Sequence, residues 1–171
     1  MNKTLTTTAA ALILCAGLTA CSSTSPKAND DAGKASATGS QPLTATNALT
    51  QISAKVQDAK LSGTVTAAND PNHLLGRPNQ YTSKVTFTDS RIKTADVEGT
   101  KEGDVERGGA VEVFATPADA AARAKYIQAV TKSLPALAEY DYVHGTVVVR
   151  VSHYLTPEQA AGYKTAADKL G

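Results

Sequence analysis

A run of valines near the C-terminus is the feature that most constrains the fold of this chain. Segment 146–152 of the 171-residue sequence contains four of them, Val147, Val148, Val149 and Val151. β-Branched side chains favour strands, and an almost unbroken apolar run is typical of a strand that is covered on both faces. The sequence therefore predicts a sheet in which residues 146–152 form a central strand.

Four further segments have the pattern of strands. Apolar and polar residues alternate along 81–88 and 110–115, which is typical of half-buried strands. Shorter strands are predicted at 65–68 and at 140–143, the latter just before a turn at His144 and Gly145. Together with the valine segment, these stretches predict a sheet of about four or five strands.

Three helices are predicted from local signals. Apolar residues recur at helical spacing along 46–61. Thr116 and Thr156 each precede a proline. This pair favours a helix start because the hydroxyl accepts a backbone N–H and proline fits the first helical position. The signals predict the second and third helices at 116–134 and 156–170.

The order of these elements indicates an α+β fold. A helix between the strands that begin near 110 and 146 permits a right-handed crossover, which would make those two strands parallel. We therefore expect a two-layer sandwich, with a mixed sheet and with helices mainly on one face. Residues 44–171 would form this single domain, which has an ordinary size for one hydrophobic core.

The first 20 residues have the pattern of a secretory signal. Lys3 precedes an apolar stretch at 5–16, and small residues follow it. A transmembrane helix needs about 20 apolar residues, so this stretch is too short to remain as one. We therefore expect residues 1–20 to be a signal peptide.

The end of that segment reads Leu18, Thr19, Ala20, Cys21 and resembles the lipobox of bacterial lipoproteins. The resemblance implies that a diacylglycerol is attached to the Cys21 thiol and that the chain is cut just before this residue. The mature protein would then be lipid-anchored on the extracytoplasmic side of the cell membrane. The alternative is a soluble secreted protein that is cut after Ala20 and keeps Cys21 as a free thiol.

Residues 21–43 read as a flexible tether, because their composition cannot bury enough apolar surface to fold. Only Lys3 of the 17 basic residues precedes Cys21, so 16 basic residues balance 16 acidic ones in the mature chain. The lack of a basic run argues against a nucleic-acid partner. Cys15 and Cys21 are the only cysteines, so residues 44–171 contain no disulfide and no thiolate metal ligand.

One candidate binding face follows from strand alternation. If the valines of three strands point to the helices, then Lys84, Glu112 and Arg150 point to the opposite face, with Phe114 beside them. Complementary charges with an apolar rim could bind a partner. The alternative is a set of cross-strand charge pairs on a solvated sheet, which contribute only tenths of a kcal/mol each.

A second candidate is the proline-bearing loop with Asp70, His73 and Arg77. General acid–base chemistry there would need a carboxylate that orients the imidazole and an anionic substrate near the guanidinium. The alternative is structural: Asp70 caps a turn, while His73 lies in solvent and Arg77 pairs locally.

The sequence as a whole favours binding over catalysis. It has no nucleophile elbow, phosphate-binding glycine loop or zinc-protease motif, and no cofactor or metal site is expected. We expect a non-catalytic binding or accessory lipoprotein with an envelope-protein or cell-wall partner. The alternative is a small envelope hydrolase or metal-dependent enzyme that uses Asp70, His73 and Arg77.

Overall fold

A computed structural model describes residues 42–171, so the expected signal peptide, Cys21 and most of the expected tether lie outside the described residues. The described part contains three α-helices and five strands. In chain order they are α1 (Ala45–Ser53), β1 (Ala59–Thr64), β2 (Tyr81–Asp89), β3 (Gly108–Phe114), α2 (Pro117–Ser133), β4 (Glu139–His144), β5 (Val147–Ser152) and α3 (Pro157–Ala167). None of the helices in this part is long and apolar enough to cross a bilayer.

The five strands form one sheet in the order β1-β2-β3-β5-β4, and every pair is antiparallel. The α+β class and the strand number are confirmed. The expected parallel crossover, and with it the mixed sheet, is wrong. After α2 the chain first forms the edge strand β4, and it then turns at Gly145, whose φ of 52° suits a tight hairpin. β5 therefore returns between β4 and β3 and runs against both of them.

The valine strand β5 lies inside the sheet and is covered on both faces, as its composition predicts. On one face, Val149 and Val151 pack in a core with α1 and α3, which include Ile52 and Tyr163. On the other face, Val148 packs against α2 in a smaller cluster. Two of the three helices thus lie on one face, which confirms that the helices are mainly on one side of the sheet. The third, α2, covers part of the polar face that carries Lys84, Glu112 and Arg150.

The starts of α2 and α3 follow the predicted chemistry. The Thr116 hydroxyl accepts a hydrogen bond from the Asp119 amide at 3.2 Å. At α3, the Thr156 hydroxyl accepts from the Gln159 amide, and the Gln159 side chain accepts from the Thr156 amide in return. Both helices have proline in their first turn. Local sequence therefore fixes where these two helices begin.

The first helix is shorter than predicted. α1 ends at Ser53, and Ala59–Thr64 forms the edge strand β1 instead of the last turn of a helix. Val56 and Ala59 continue the helical spacing of Leu49 and Ile52 in the sequence and are buried in the same core, although both lie beyond the end of α1. The predicted strand at 65–68 is also wrong. The segment that pairs with β2 lies a few residues earlier, at Ala59–Thr64.

Candidate functional site

The charged residues of the candidate face form a buried cluster around Glu112. Glu112 is fully buried, and its Oε1 lies 3.0 Å from Lys84 Nζ and 3.3 Å from Arg150 Nη1. Lys84 and Glu112 are direct cross-strand partners, and Arg150 comes from the next strand. Strand alternation thus placed these three side chains on one face, but they are mostly buried there, with α2 packed against the same face, instead of lying on a solvated sheet.

α2 supplies a third cation that the sequence argument missed. Arg123 Nε lies 2.9 Å from Glu112 Oε2. The buried residues of α2 include Ala120, Ala124 and Ile127, and Arg123 falls within that stripe at helical spacing. The stripe could have identified it from sequence, since a charged residue on a buried helical face requires a partner.

Three cations hold Glu112 in its ionised form. Burial by itself acts to raise the pKa of Glu112, but the charges of Lys84, Arg150 and Arg123 outweigh burial and lower the pKa to about 2. The carboxylate is therefore ionised at neutral pH. It holds the three cations in place and is too weak a base to accept a proton there.

Two acidic residues of β4 complete the cluster, and the sequence argument missed both. Glu139 accepts two hydrogen bonds from the Arg150 guanidinium, at 2.7 and 2.8 Å. Burial, together with the neighbouring Glu139 carboxylate, raises the pKa of Asp141 to about 8, against the opposing charge of Arg150. Asp141 Oδ1 is buried without a hydrogen-bond partner among the described residues. The cluster thus places three cationic side chains beside the carboxylates of Glu112 and Glu139.

An open groove of about 840 Å³ lies over this cluster. Lys84, Arg123 and Arg150 line it from the sheet and from α2. A volume of roughly 300–1,000 Å³ is usual for small-molecule sites. We call this feature the sheet groove.

The walls of the sheet groove differ in character. The α2 wall includes Ile127, Val130 and Tyr126, and Tyr126 is 62% exposed. The segment 103–106 also lines the groove and contributes Asp104 and Glu106. The Ser152 hydroxyl donates to the Glu106 carbonyl at 2.7 Å, which ties this segment to β5. The groove therefore combines a cationic floor with apolar and acidic walls.

Asp70 of the second candidate has a structural role. It is buried, and it accepts hydrogen bonds from the Tyr81 hydroxyl at 2.7 Å and from the amides of Leu74 and Leu75. Burial acts to raise the pKa of Asp70, but the hydrogen bonds from Tyr81 and from the amides of Leu75, Leu74 and Asn72 lower it to about 2. Asp70 thus holds the loop in shape.

The structure does not assemble Asp70, His73 and Arg77 into an acid–base site. His73 and Arg77 are both exposed, and none of the hydrogen bonds of the Asp70 carboxylate reaches either of their side chains. The His73 amide donates to the Asp70 backbone carbonyl at 3.1 Å, which is a turn contact that leaves the imidazole free of the carboxylate. Residues 42–171 contain no group of three side chains placed to hold a metal ion. The loop instead contributes Pro71, Asn72 and Leu74 to the sheet groove.

Phe114, the remaining residue of the candidate face, is buried and does not line the sheet groove. It packs with its ring edge-to-face against Tyr81, with the centroids 6.3 Å apart. Both residues belong to the smaller core cluster under α2. Phe114 therefore supports the groove from below instead of forming a rim.

Comparison with known proteins does not indicate a function for the sheet groove. The chain matches no protein-family model, no curated protein and no solved structure. The assignment of a function therefore depends on the residues and distances described above.

Proposed function

We propose that the protein is a lipid-anchored lipoprotein of the cell envelope, exposed on the extracytoplasmic side, and that it acts as a non-catalytic binding or accessory module. Its ligand or partner would occupy the sheet groove. The observation that carries the proposal is the groove itself, a cavity of about 840 Å³ with buried cations in its floor.

The energetics of the charged cluster support a binding role. A buried ion cluster is seldom the most stable way to fill a core, because the desolvation of each charge offsets much of the attraction between them. Here Lys84, Arg123, Arg150, Glu112 and Glu139 occupy a sheet face that apolar side chains could fill. A groove that uses some of these charges to bind a ligand accounts for their presence.

The chemistry of the lining argues against catalysis. The described residues that line the groove include no histidine, cysteine or serine, which are the usual nucleophiles and proton carriers. The fully buried carboxylate beneath the cations, Glu112, has a pKa of about 2, lowered by the three surrounding cations against the effect of burial. Such a group binds and orients but does not act as a general base at neutral pH.

The anchor part of the proposal rests on the segment Leu18 to Cys21 and is tested by cell fractionation. Two acyl chains hold a protein stably on a bilayer, so the native chain should sediment with membranes. Cys21→Ser should move the protein to the soluble fraction, whereas Cys15→Ser, within the expected signal peptide, should leave it on the membrane. Intact-mass analysis that finds the native Cys21 free of lipid would overturn this part.

The binding part is tested by photo-crosslinking in intact cells. A photoreactive amino acid in place of Tyr126 would lie on the groove wall, while the same group at Tyr154 would be exposed but outside the groove. We expect adducts of defined mass at position 126 and few at position 154. Equal labelling at the two positions would contradict a role for the groove.

A further inference from the structure

We propose that the sheet groove binds a zwitterionic ligand, a short peptide or an amino acid, with its carboxylate on the cationic floor and its ammonium group at the acidic wall. This inference rests on the proposed function, because it takes the groove as the binding site. It goes further by naming the chemistry that the groove recognises.

The floor has positive charge and free hydrogen-bond donors to offer. Lys84 Nζ has three donors; among the described residues it forms an ion pair with Glu112 and lies 5.2 Å from the centroid of the Tyr81 ring. The Arg123 guanidinium uses Nε and Nη2 on Glu112, which leaves the donors of its Nη1. Both side chains are nearly buried and both line the groove. A ligand carboxylate could therefore accept charge-assisted hydrogen bonds in a place where water competes weakly.

The charge balance of the floor suits one negative charge. Three basic side chains, Lys84, Arg123 and Arg150, face the two carboxylates of Glu112 and Glu139. Burial and the adjacent Glu139 raise the pKa of Asp141 to about 8, so this group is mostly neutral at pH 7. One positive charge is thus left over, which matches a monoanionic carboxylate better than a dianionic phosphate.

The acidic wall of the groove favours a positively charged group of the ligand. Asp104 and Glu106 line the groove, and neither forms an ion pair within residues 42–171. Asp104 accepts a hydrogen bond from the Lys101 amide at 2.7 Å, which fixes its position in the turn. Two carboxylates repel a purely anionic ligand such as a fatty acid or an inorganic anion. They attract the ammonium group of a zwitterion.

The remaining surface of the groove suits the body of a peptide. The same groove is lined by apolar side chains that can contact the body of a ligand, and these are Leu74, Ile127, Val130 and the exposed ring of Tyr126. A volume of about 840 Å³ exceeds the needs of a free amino acid and has room for several residues of peptide. The structure therefore favours a short peptide as the occupant.

The test is calorimetric titration of the full chain carrying Cys21→Ser with four defined probes. They are the tripeptide Ala-Phe-Ala, its C-terminal amide, its N-acetyl form and free phenylalanine. We expect the unmodified tripeptide to bind best and amidation to weaken binding at least tenfold, because the buried floor loses its anion. Acetylation should weaken binding roughly threefold to tenfold, since the acidic wall is more accessible to water. Weaker binding of phenylalanine than of the tripeptide would show that the groove prefers a peptide to a free amino acid.

A matched pair of variants tests the acidic wall. Glu106→Gln should weaken binding of the unmodified tripeptide but leave the N-acetyl form unchanged. Glu102→Gln, an exposed change in the same segment but outside the groove lining, should alter neither. This comparison isolates the ammonium contact, because any general effect of the substitution appears with both peptides.

The outcomes separate this inference from the proposed function. Equal affinity for the three tripeptide forms, or no binding of any probe, would overturn the zwitterion inference. Adducts at position 126 in cells would then still support a binding groove with another ligand. Absence of both binding and adducts would remove the inference and the binding function together.

Discussion

Glu112 is the residue on which the polar face of the sheet depends. Its two carboxylate oxygens contact Lys84, Arg123 and Arg150, which come from β2, α2 and β5. A fully buried carboxylate is stable only if its desolvation is offset by such partners. Glu112 therefore links the sheet to α2 and holds the three groove cations in position.

Replacement of the Glu112 carboxylate should lower the stability of the fold. Glu112→Gln leaves buried cations without their shared partner, so we expect the free energy of unfolding to fall by about 3–5 kcal/mol. Glu102→Gln, at an exposed position, should change it by less than about 0.5 kcal/mol. Urea unfolding at pH 7 measures both, and a loss below about 1 kcal/mol for Glu112→Gln would show that the cluster contributes little to stability.

The raised pKa of Asp141 should make the protein less stable at alkaline pH. Burial, with Glu139 and Glu112 nearby and Arg150 opposing, raises its pKa from 3.8 to about 8. The folded state then binds one more proton than the unfolded chain between about pH 4 and 8. Stability therefore falls as pH rises through this window, by at most about 1.4 kcal/mol per pH unit.

Asp141→Asn removes this titration and retains a donor for Glu139. We expect the variant to be more stable than the native chain at pH 9 and to lose that advantage at pH 5. Urea unfolding at the two pH values measures the difference. An advantage that is the same at both would mean that Asp141 does not titrate in this range.

At the scale of elements, β3 is held close to its neighbours by a glycine. A Cβ atom on Gly109 would collide with the Arg150 carbonyl oxygen and with the ring of Phe87. The absence of a side chain thus allows the backbone of β5 and the core aromatic to approach β3. In α3, by contrast, a Cβ on Gly162 would make an ordinary contact, 3.9 Å from Val56 Cγ2.

These two glycines should respond to alanine with opposite signs. Gly109→Ala should lower the free energy of unfolding by at least about 2 kcal/mol, because backbone atoms cannot move aside easily. Gly162→Ala should raise it by about 0.5–1 kcal/mol, since alanine favours the helix. Thermal and urea unfolding measure both variants, and a stable Gly109→Ala protein would contradict the close packing of β3.

At the scale of the whole molecule, buried carboxylates with lowered pKa values govern stability in acid. Hydrogen bonds from Tyr81 and backbone amides lower the pKa of Asp70, and three cations lower that of Glu112, each to about 2 against the effect of burial. The unfolded chain binds protons to these groups at higher pH. Their contribution is therefore fully present above about pH 4.5 and is lost as pH falls towards 2.

Asp70→Asn should make the acid dependence less steep. The variant lacks one of the groups that takes up a proton on unfolding, and it should also be less stable at pH 7 by about 1–3 kcal/mol because the loop amides lose their acceptor. Asp96→Asn, at an exposed position, should keep the native slope. The slopes come from unfolding free energies between pH 5 and 2.5, and an unchanged slope for Asp70→Asn would contradict the lowered pKa.

The sequence alone determined the features that depend on near neighbours in the chain. The alternation of β2 and β3 placed Lys84 and Glu112 on one face, and the Thr-Pro pairs at 116 and 156 set two helix starts. The valine run identified β5 as an interior strand. These features follow from backbone geometry and capping chemistry within a few residues, which a sequence records directly.

Only the tertiary structure decided how distant segments meet. The β4–β5 hairpin made the whole sheet antiparallel, α2 settled on the polar face with Arg123, and Asp70 turned inward to Tyr81 and away from His73. The sequence around each of these segments is compatible with more than one packing partner. The partner that is found in the fold is the one that gives the best total burial of apolar surface and pairing of charges in the whole chain. The sheet groove forms only when these segments pack together, so the sequence predicted the shared face of Lys84 and Arg150 but neither Arg123 beside them nor the groove itself.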